Sequence, residues 1–440
     1  MENNSRRSFL KKTALAMAGT GLFPIVPHNL FGANAPGNRV NIGVIGLGFG
    51  ITNMRHMING SSWVHCVALC DVDQNKLEVR AGEMREDFPE NTKNMKLYTD
   101  FRDLLDDQDI DGVIIATPDH WHTYIFAEAC KAGKAIYIEK PVGHTVSDCE
   151  LMVDLQRKHN NVVQTGLWQI SLDYFKDAFD ILRSGVLGDV YKVHAFITGG
   201  TNPATFEMPQ TVPDTLDYDM WTGPAPKHPY ANEKIQNWRR FWDYGGGGQT
   251  DWVHYLDSAL DGMSALGHKR TYPKSIYSSG YKHPDTMYDV PSLQTSIFQF
   301  DDYQVVWEQQ VSNLYNRSDG VAWIGSNGTL VCNRTGYEVI PQTSDGRPVI
   351  AEVRMQGSYG NQYNHMINWA NCIRENNPDT NSPIDKGSYA SLLAAIANIS
   401  HRMDSQSLEY LHEEKKFRDN PEADNYLVNE YQNHWEYPTL

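Results

Sequence analysis

Cysteine is scarce, with six in 440 residues, and none forms a CxxC pair. That excludes a disulfide-built scaffold at this size. Cys66 and Cys70 lie four apart in a predicted strand, which puts them about 13 Å apart on one face. Bridged Cα atoms stand within about 7 Å, so these two cannot pair with each other. All six read as small buried hydrophobes. No apolar run reaches the roughly 18 residues of a membrane-spanning helix, so nothing is expected to span a bilayer. Positive charge is short: 38 Lys and Arg stand against 54 Asp and Glu, a formal charge of -16. Such a field repels phosphate backbones and anionic lipid, which argues against nucleic acid and a membrane surface as partners. HExxH is missing as well, so no metal is expected. The GxSxG elbow of serine hydrolases is absent too.

The rest of the composition suits folded domains. The chain is 40% apolar, 11% aromatic and 21% charged, enough to build a sizeable core in two or three domains.

Ser5-Arg6-Arg7-Ser8-Phe9-Leu10-Lys11 precedes a modest apolar stretch, Thr13 to Phe23. A positive start, a short apolar region and a small-residue site make an export signal, and the paired arginines make it a twin-arginine signal. Ala33-Asn34-Ala35 fits the cut, although Pro36 follows. Residues 1–35 carry a net charge of +3, so the remainder is left at -19. The expected location is the periplasm. That route exports folded proteins, so a nucleotide enzyme would carry its cofactor out with it.

Val40 to Ile45 is a β-branched strand that ends in Gly46-Leu47-Gly48-Phe49-Gly50-Ile51, and a helix follows. Strand, glycine turn and helix form the setting of a dinucleotide fingerprint. Gly46 makes the tight turn, and Gly48 lets a pyrophosphate approach the helix N-terminus. The third fingerprint position is Ile51, with Gly50 one place early. The next strand, Trp63 to Cys70, ends in Asp71, where an acid receives the ribose hydroxyls of NAD. No arginine follows directly, which disfavours NADP.

Strands at Asp111–Thr117, Ala135–Ile138 and Asn161–Gly166 alternate with helices at about Thr123–Ala132 and Val146–His159. This predicts a parallel, doubly wound sheet with its ligand off the carboxyl ends of the strands. Gly46, Asp71, Pro118 and Lys140 all fall at such ends. Lys140, fixed by Pro141, stands where nicotinamide and substrate would meet, and a cation there can steady an alkoxide.

Further on, Gly245 to Gly248 lead into Gln249-Thr250-Asp251-Trp252-Val253-His254. A helix starting near Thr250 would put Asp251, His254 and Asp257 on one side. An acid beside a histidine orients the ring and tunes it as a base near neutrality.

The order Gly-rich turn, Thr117-Pro118 with His122, then Glu139-Lys140-Pro141 resembles the Gfo/Idh/MocA oxidoreductases. The resemblance continues through Asp219-Met220-Trp221-Thr222-Gly223-Pro224 and Trp238 to Gly247, and on to the tail at Phe417 to Ala423. It looks most like the exported, sugar-acting branch. It implies an N-terminal Rossmann domain at 36–168 and a C-terminal α/β domain at 169–440 with an open, mostly antiparallel sheet. Strands at Tyr191–Ile197, Leu293–Phe300, Tyr303–Gln310 and Gly328–Cys332 agree with that, and Asp301-Asp302 reads as a hairpin turn. Residues 200–240 read as a long connection with little periodicity.

The resemblance implies catalysis by Lys140, His254 and an acid on the same helix. The family spacing Asp-x-Gly-x-His is one residue shorter here, with Asp251 or Thr250 in the acid's place. Cofactor contacts would come from Gly46, Gly48, Phe49, Gly50, Asp71, Thr117, Pro118, His122, Glu139 and Lys140. Substrate contacts would come from Asp257 and, as stacking platforms, from Trp121, Trp168, Trp221 and Tyr244. The implied reaction is NAD-dependent oxidation of a secondary ring hydroxyl of a sugar, glycoside or cyclitol, with a tightly held cofactor. Two other readings are an NAD-dependent glycoside hydrolase working through a transient 3-keto sugar and an inactive sugar-binding module. By analogy, a homo-oligomer is expected.

Overall fold

The structure is a computed structural model that describes residues 39–199, 207–310 and 314–440. The export segment 1–35 lies outside the described residues.

The first half is a six-stranded, wholly parallel sheet in the order β3-β2-β1-β4-β5-β6. Its strands are β1 (Val40–Ile45), β2 (Val64–Cys70), β3 (Lys96–Tyr98), β4 (Gly112–Ile115), β5 (Ala135–Ile138) and β6 (Val163–Thr165). The order reverses between β1 and β4, which opens a crevice at the tips of those strands. Every residue of β4 and β5 is buried, because helices cover both faces; this is why these strands read as unbroken apolar runs. Helix α1 (Phe49–Gly60) follows the glycine turn and α2 (Gln74–Asp87) follows β2. Helix α3 (His122–Lys131) follows β4 and α4 (Val146–His159) follows β5. Thr145 and Asp148 close a capping box on α4, which satisfies two otherwise orphaned N–H groups.

The second half carries an eight-stranded sheet. Its strands are β7 (Val190–Thr198), β8 (Ser275–Tyr281), β9 (Leu293–Gln299), β10 (Gln304–Gln310), β11 (Asp319–Gly325), β12 (Gly328–Asn333), β13 (Gly336–Pro341) and β14 (Val353–Gln356). Their order is β14-β13-β12-β11-β7-β10-β9-β8. Only β7 and β10 run parallel; the other neighbours are antiparallel. The turn expected at Asp301-Asp302 joins β9 to β10, and Phe300 N donates to Tyr303 O at 3.0 Å. One face of the sheet packs on α5 (Asp173–Arg183) and on two later helices. These are α6 (Val253–Ala265), whose Gly262 lets the Trp323 ring approach, and α8 (Ile384–Arg402). All six cysteines are buried and unpaired.

Several segments of the second half pack on the first. Helix α7 (Tyr363–Glu375) leaves the second half and lies on the first sheet, where Met366, Trp369, Ala370 and Cys372 pack with Val44, Met54 and Tyr137. Gln164 Nε2 donates to His365 O at 2.7 Å, and His365 Nε2 lies 2.9 Å from Thr165 O. Burying side chains of this size stabilises by about 1.5–3 kcal/mol each before entropy is counted. The halves are therefore held in register beside the crevice.

Candidate active site

The glycine turn fits a dinucleotide. Gly46 has φ +89, and a Cβ there would stand 2.5 Å from Ala116 O. At Gly48 a Cβ would meet nothing within 4 Å, so the space above the start of α1 is open. No acid occupies the first turn of α1, which keeps its N-terminus favourable to a pyrophosphate. Gly50 resolves the imperfect fingerprint. A Cβ on it would lie 2.7 Å from Val44 Cγ1 and 3.3 Å from Ala116 Cβ. It thus performs the close helix-to-strand packing that the motif assigns one position later.

Asp71 is buried at the tip of β2. Its carboxylate accepts from Leu47 N at 3.0 Å and Asp73 N at 3.2 Å, and Lys76 Nζ lies 2.7 Å from Oδ2. Lys76 was not foreseen. It comes from the first turn of α2 and lines the same cleft as Asp71.

At the tips of β4 and β5 the ring nitrogens of His122 lie 3.1 Å from Thr117 O and 2.8 Å from Pro141 O. Burial pulls the His122 pKa down to about 4, against those two contacts. The ring joins the two loops that frame Lys140. Glu139 accepts from Asn53 Nδ2 at 2.7 Å and from Lys140 N at 3.2 Å, which ties β5 to α1. Burial raises its pKa. Glu139 and His122 therefore hold Lys140 in place, while Thr117, Pro118 and Glu139 also face the cleft.

Lys140 precedes a cis Pro141. Its Nζ donates to Asp251 Oδ1 at 2.7 Å and to Asp251 O at 2.5 Å. Arg239 Nε donates to the same Oδ1 at 3.0 Å. Burial alone would raise the Asp251 pKa, but Lys140 and Arg239 outweigh it and hold this carboxyl well below the usual range. Of the two residues left open for the acid's place, it is therefore Asp251 that meets the lysine. Thr250 is buried and its Oγ1 points back to Gly247 O at 3.5 Å.

The single helix expected from Thr250 is two. A short helix ends at Asp251, Trp252 leaves helical geometry with φ -107 and ψ 28, and α6 begins at Val253. The break restores what the shorter spacing removed, because it lets both Asp251 and His254 lie by Lys140. His254 is buried and its Nδ1 has no partner. Burial, then the charges of Lys140 and Arg334, keep its pKa far below the usual histidine value, so the ring is neutral. Arg334 is itself buried, with its guanidinium 4.5 Å from the Trp168 ring and 5.4 Å from the Trp252 ring.

Asp257 takes a different place from its expected neighbours. It pairs with Arg270 at 3.0 Å and Lys386 at 3.6 Å, in a buried network that includes Asp261. Tyr244 is fully buried and donates to Pro226 O at 3.2 Å, and Trp168 lies under Arg334. Trp121 and Trp221 do line the cleft, where Trp121 Nε1 donates to Trp221 O at 3.0 Å.

The cleft encloses about 500 Å³. Gly46, Gly48, Phe49, Asp71 and Lys140 line it from the first half; Leu216, Trp221, Trp238 and Arg239 line it from the second. Residues 215–217 reach back over α2: Gln74 N donates to Thr215 O at 2.8 Å and Asp217 N to Val72 O at 3.0 Å. Residues 213–239 of the long connection thus contribute a wall of the cleft. The length of this connection and the family-like stretch from Trp238 to Gly247 marked the region, but neither singled out Arg239 or placed the wall over the cleft.

A parallel sheet with a glycine cradle, an acid at β2 and a lysine at β5, closed by a second sheet domain, defines a dinucleotide-dependent oxidoreductase architecture. Residues 40–167 match the family model "Oxidoreductase family, NAD-binding Rossmann fold" of GFO_IDH_MocA, and 176–437 match its "Oxidoreductase family, C-terminal alpha/beta domain". The chain belongs to the Gfo/Idh/MocA oxidoreductase family, whose first domain binds NAD. It is 27% identical over 180 residues to inositol 2-dehydrogenase of Salmonella typhimurium, 40% of this chain and 52% of that protein. It is also 29% identical over 216 residues to a glycosyl hydrolase family 109 protein of Shewanella baltica, 43% of this chain and 45% of that one. The chain thus spans about half the length of these curated relatives. Among solved structures, it shares the fold of myo-inositol dehydrogenase from Lactobacillus casei in complex with NAD(H) and myo-inositol. The TM-score there is 0.58 at 18% identity, covering 85% of this chain and 97% of that one. Aldose-aldose oxidoreductase from Caulobacter crescentus gives a TM-score of 0.60 at 19% identity, covering 84% and 99%.

Proposed function

We propose that this protein is an NAD-dependent oxidoreductase that oxidises a secondary ring hydroxyl of a sugar, glycoside or cyclitol. The observation that carries this is the meeting of Lys140, from the first domain, with Asp251 beside neutral His254, from the second. NAD, when bound along Gly46, Gly48 and Asp71, supplies the hydride acceptor. Lys140 binds the reacting oxygen and stabilises the charge that develops on it. Asp251 and Arg239 hold the ammonium in place, so little reorganisation is needed during reaction. His254, neutral and without a partner at Nδ1, is free to take the hydroxyl proton. Trp121 and Trp221 offer apolar faces for the ring.

The segment 215–217 supports a cofactor retained through turnover, since its hydrogen bonds to Val72 and Gln74 hold that wall of the cleft in place. A retained cofactor must be returned to its starting state on the protein, which suits two substrates used in turn. It also suits hydrolysis through a transient 3-keto sugar, and the likeness to the family 109 relatives favours keeping that second reading. The twin-arginine motif supports export to the periplasm with the cofactor seated. The partner is a small carbohydrate. A homo-oligomer formed through the outer face of the eight-stranded sheet is part of the same proposal.

Acid release of nucleotide from purified protein tests the cofactor. An inactive sugar-binding module would release none. Mixing NAD-loaded protein with myo-inositol and with an aryl glycoside, and following NADH absorbance and free aglycone together, separates the two catalytic readings. NADH without aglycone supports the dehydrogenase, whereas aglycone without net NADH supports the hydrolase.

A further inference from the structure

Asp119 lies at the start of the turn after β4 and is only 3% exposed, yet it lines the cleft beside Lys140 and Arg239. Among the described residues, no hydrogen bond or ion pair reaches its carboxyl. With no partner from the protein, this carboxyl takes one from whatever fills the cleft.

The other carboxyls of this cleft are all engaged. Asp71 holds Lys76 and two backbone N–H groups. Asp73 caps α2. Glu139 holds Asn53 and the Lys140 N–H. Asp251 lies between Lys140 and Arg239. Asp119 alone can change its protonation without breaking a contact. The groups that face it are Arg239, Asp251 and Lys140. Burial holds its pKa well above the usual range; Arg239 and Lys140 act against burial and Asp251 with it.

The reaction itself displaces charge and a proton at this place. Oxidation of a carbinol breaks its C–H and O–H bonds, sends the hydride to the nicotinamide, and leaves one proton to be stored. His254 can accept that proton but is a poor place to keep it, since burial and the charges of Lys140 and Arg334 disfavour its charged form. Reduction of a bound NAD⁺ would also remove the positive charge of its ring, so a carboxylate lining the same cleft would lose a counter-charge.

We propose that Asp119 is the proton store of the redox cycle: ionised when the bound cofactor is NAD⁺ and protonated when it is NADH, so that the net charge of the enclosed cleft stays constant. This rests on the oxidoreductase reading above and assigns a proton-handling role that reading does not contain. The carbinol carbon is oxidised and NAD⁺ reduced; the hydroxyl proton ends on Asp119, and the reverse step returns it.

The test needs no substrate. Full-length protein, with co-purified nucleotide exchanged out, is titrated with NAD⁺ and with NADH by calorimetry in buffers of different ionisation enthalpy near pH 7. NADH binding is expected to take up one proton more than NAD⁺ binding. The infrared difference between the two loaded forms should show an un-ionised carboxyl band that shifts in D₂O. Asp119→Asn should abolish both signals and Asp119→Glu should restore them. Equal proton counts in the unaltered protein, or a band that survives Asp119→Asn, would overturn the proposal even if the variant binds poorly. Failure of both nucleotides to bind the unaltered protein would instead bring down the oxidoreductase reading beneath it.

Discussion

Lys140 and Asp251 stand 111 positions apart in the chain and meet at 2.7 Å. Each belongs to a different sheet domain, so the proposed catalytic pair exists only once both domains have folded and closed on each other. Lys140→Met should therefore act on two levels. Asp251 keeps Arg239 but loses a partly buried counter-charge, which costs about 1–3 kcal/mol. The developing oxyanion loses its main stabiliser, so kcat should fall by about 10²–10³. Nucleotide content after acid release should stay near that of the unaltered protein. Loss of nucleotide together with activity would mean that Lys140 holds the cofactor rather than the reaction.

The last two glycines of the turn separate packing from binding. Gly50→Ala places a methyl 2.7 Å from Val44 Cγ1, so α1 must move off β1, at about 1–3 kcal/mol. Gly48→Ala meets no protein atom within 4 Å, so its melting temperature should fall less than that of Gly50→Ala. Its methyl would instead occupy the space of the pyrophosphate, and NAD retention should fall at least about tenfold, about 1.4 kcal/mol. Melting curves and nucleotide content of the two variants check both expectations at once.

Much of this was legible beforehand because each signal was local. The apolar runs of β1, β4 and β5, the turn at Gly46 and the lysine at the tip of β5 need only neighbours in sequence to be read. The break at Trp252 was not legible. It depends on Asp251 being drawn to Lys140 and Arg239 across the domain gap, and a periodic pattern continued through it. Asp257 misled for the same reason, since helical spacing says nothing of Arg270 and Lys386 waiting on its other side. Arg239 and Thr215 lie in a stretch without periodicity, and only the closed structure gives them a site.

Stability should depend on pH through buried histidines. Burial lowers the His365 pKa to about 4, while its contact with Thr165 O acts in the opposite direction. The unfolded chain binds this proton near pH 6.5 and the folded one only near 4, so stability is lost as pH falls through that window. His365→Gln can keep a hydrogen bond to Thr165 O without titrating. The drop in denaturation midpoint between pH 6.5 and 4 should be smaller in the variant, by up to a few kcal/mol in unfolding free energy. Parallel curves for the two proteins would show that other groups govern this range.

Asp71 and Lys76 are expected to set the cofactor preference between them. The carboxylate can accept both hydroxyls of an adenosine ribose and repels a 2′-phosphate. Lys76 Nζ, 2.7 Å from Oδ2, neutralises part of that repulsion while Asp71 is present. Asp71→Ser removes the anion and leaves the ammonium on the same wall of the cleft. The variant should bind NADP at least about tenfold better relative to NAD, since a lost repulsion and a gained ion pair together exceed about 1.4 kcal/mol. Lys76→Met alone should do the reverse and sharpen the preference for NAD. Competition of NAD and NADP for each protein, read by fluorescence of the reduced forms, checks the order. If the double variant Asp71→Ser with Lys76→Met still favours NADP, the preference comes from elsewhere on the adenosine side of the cleft.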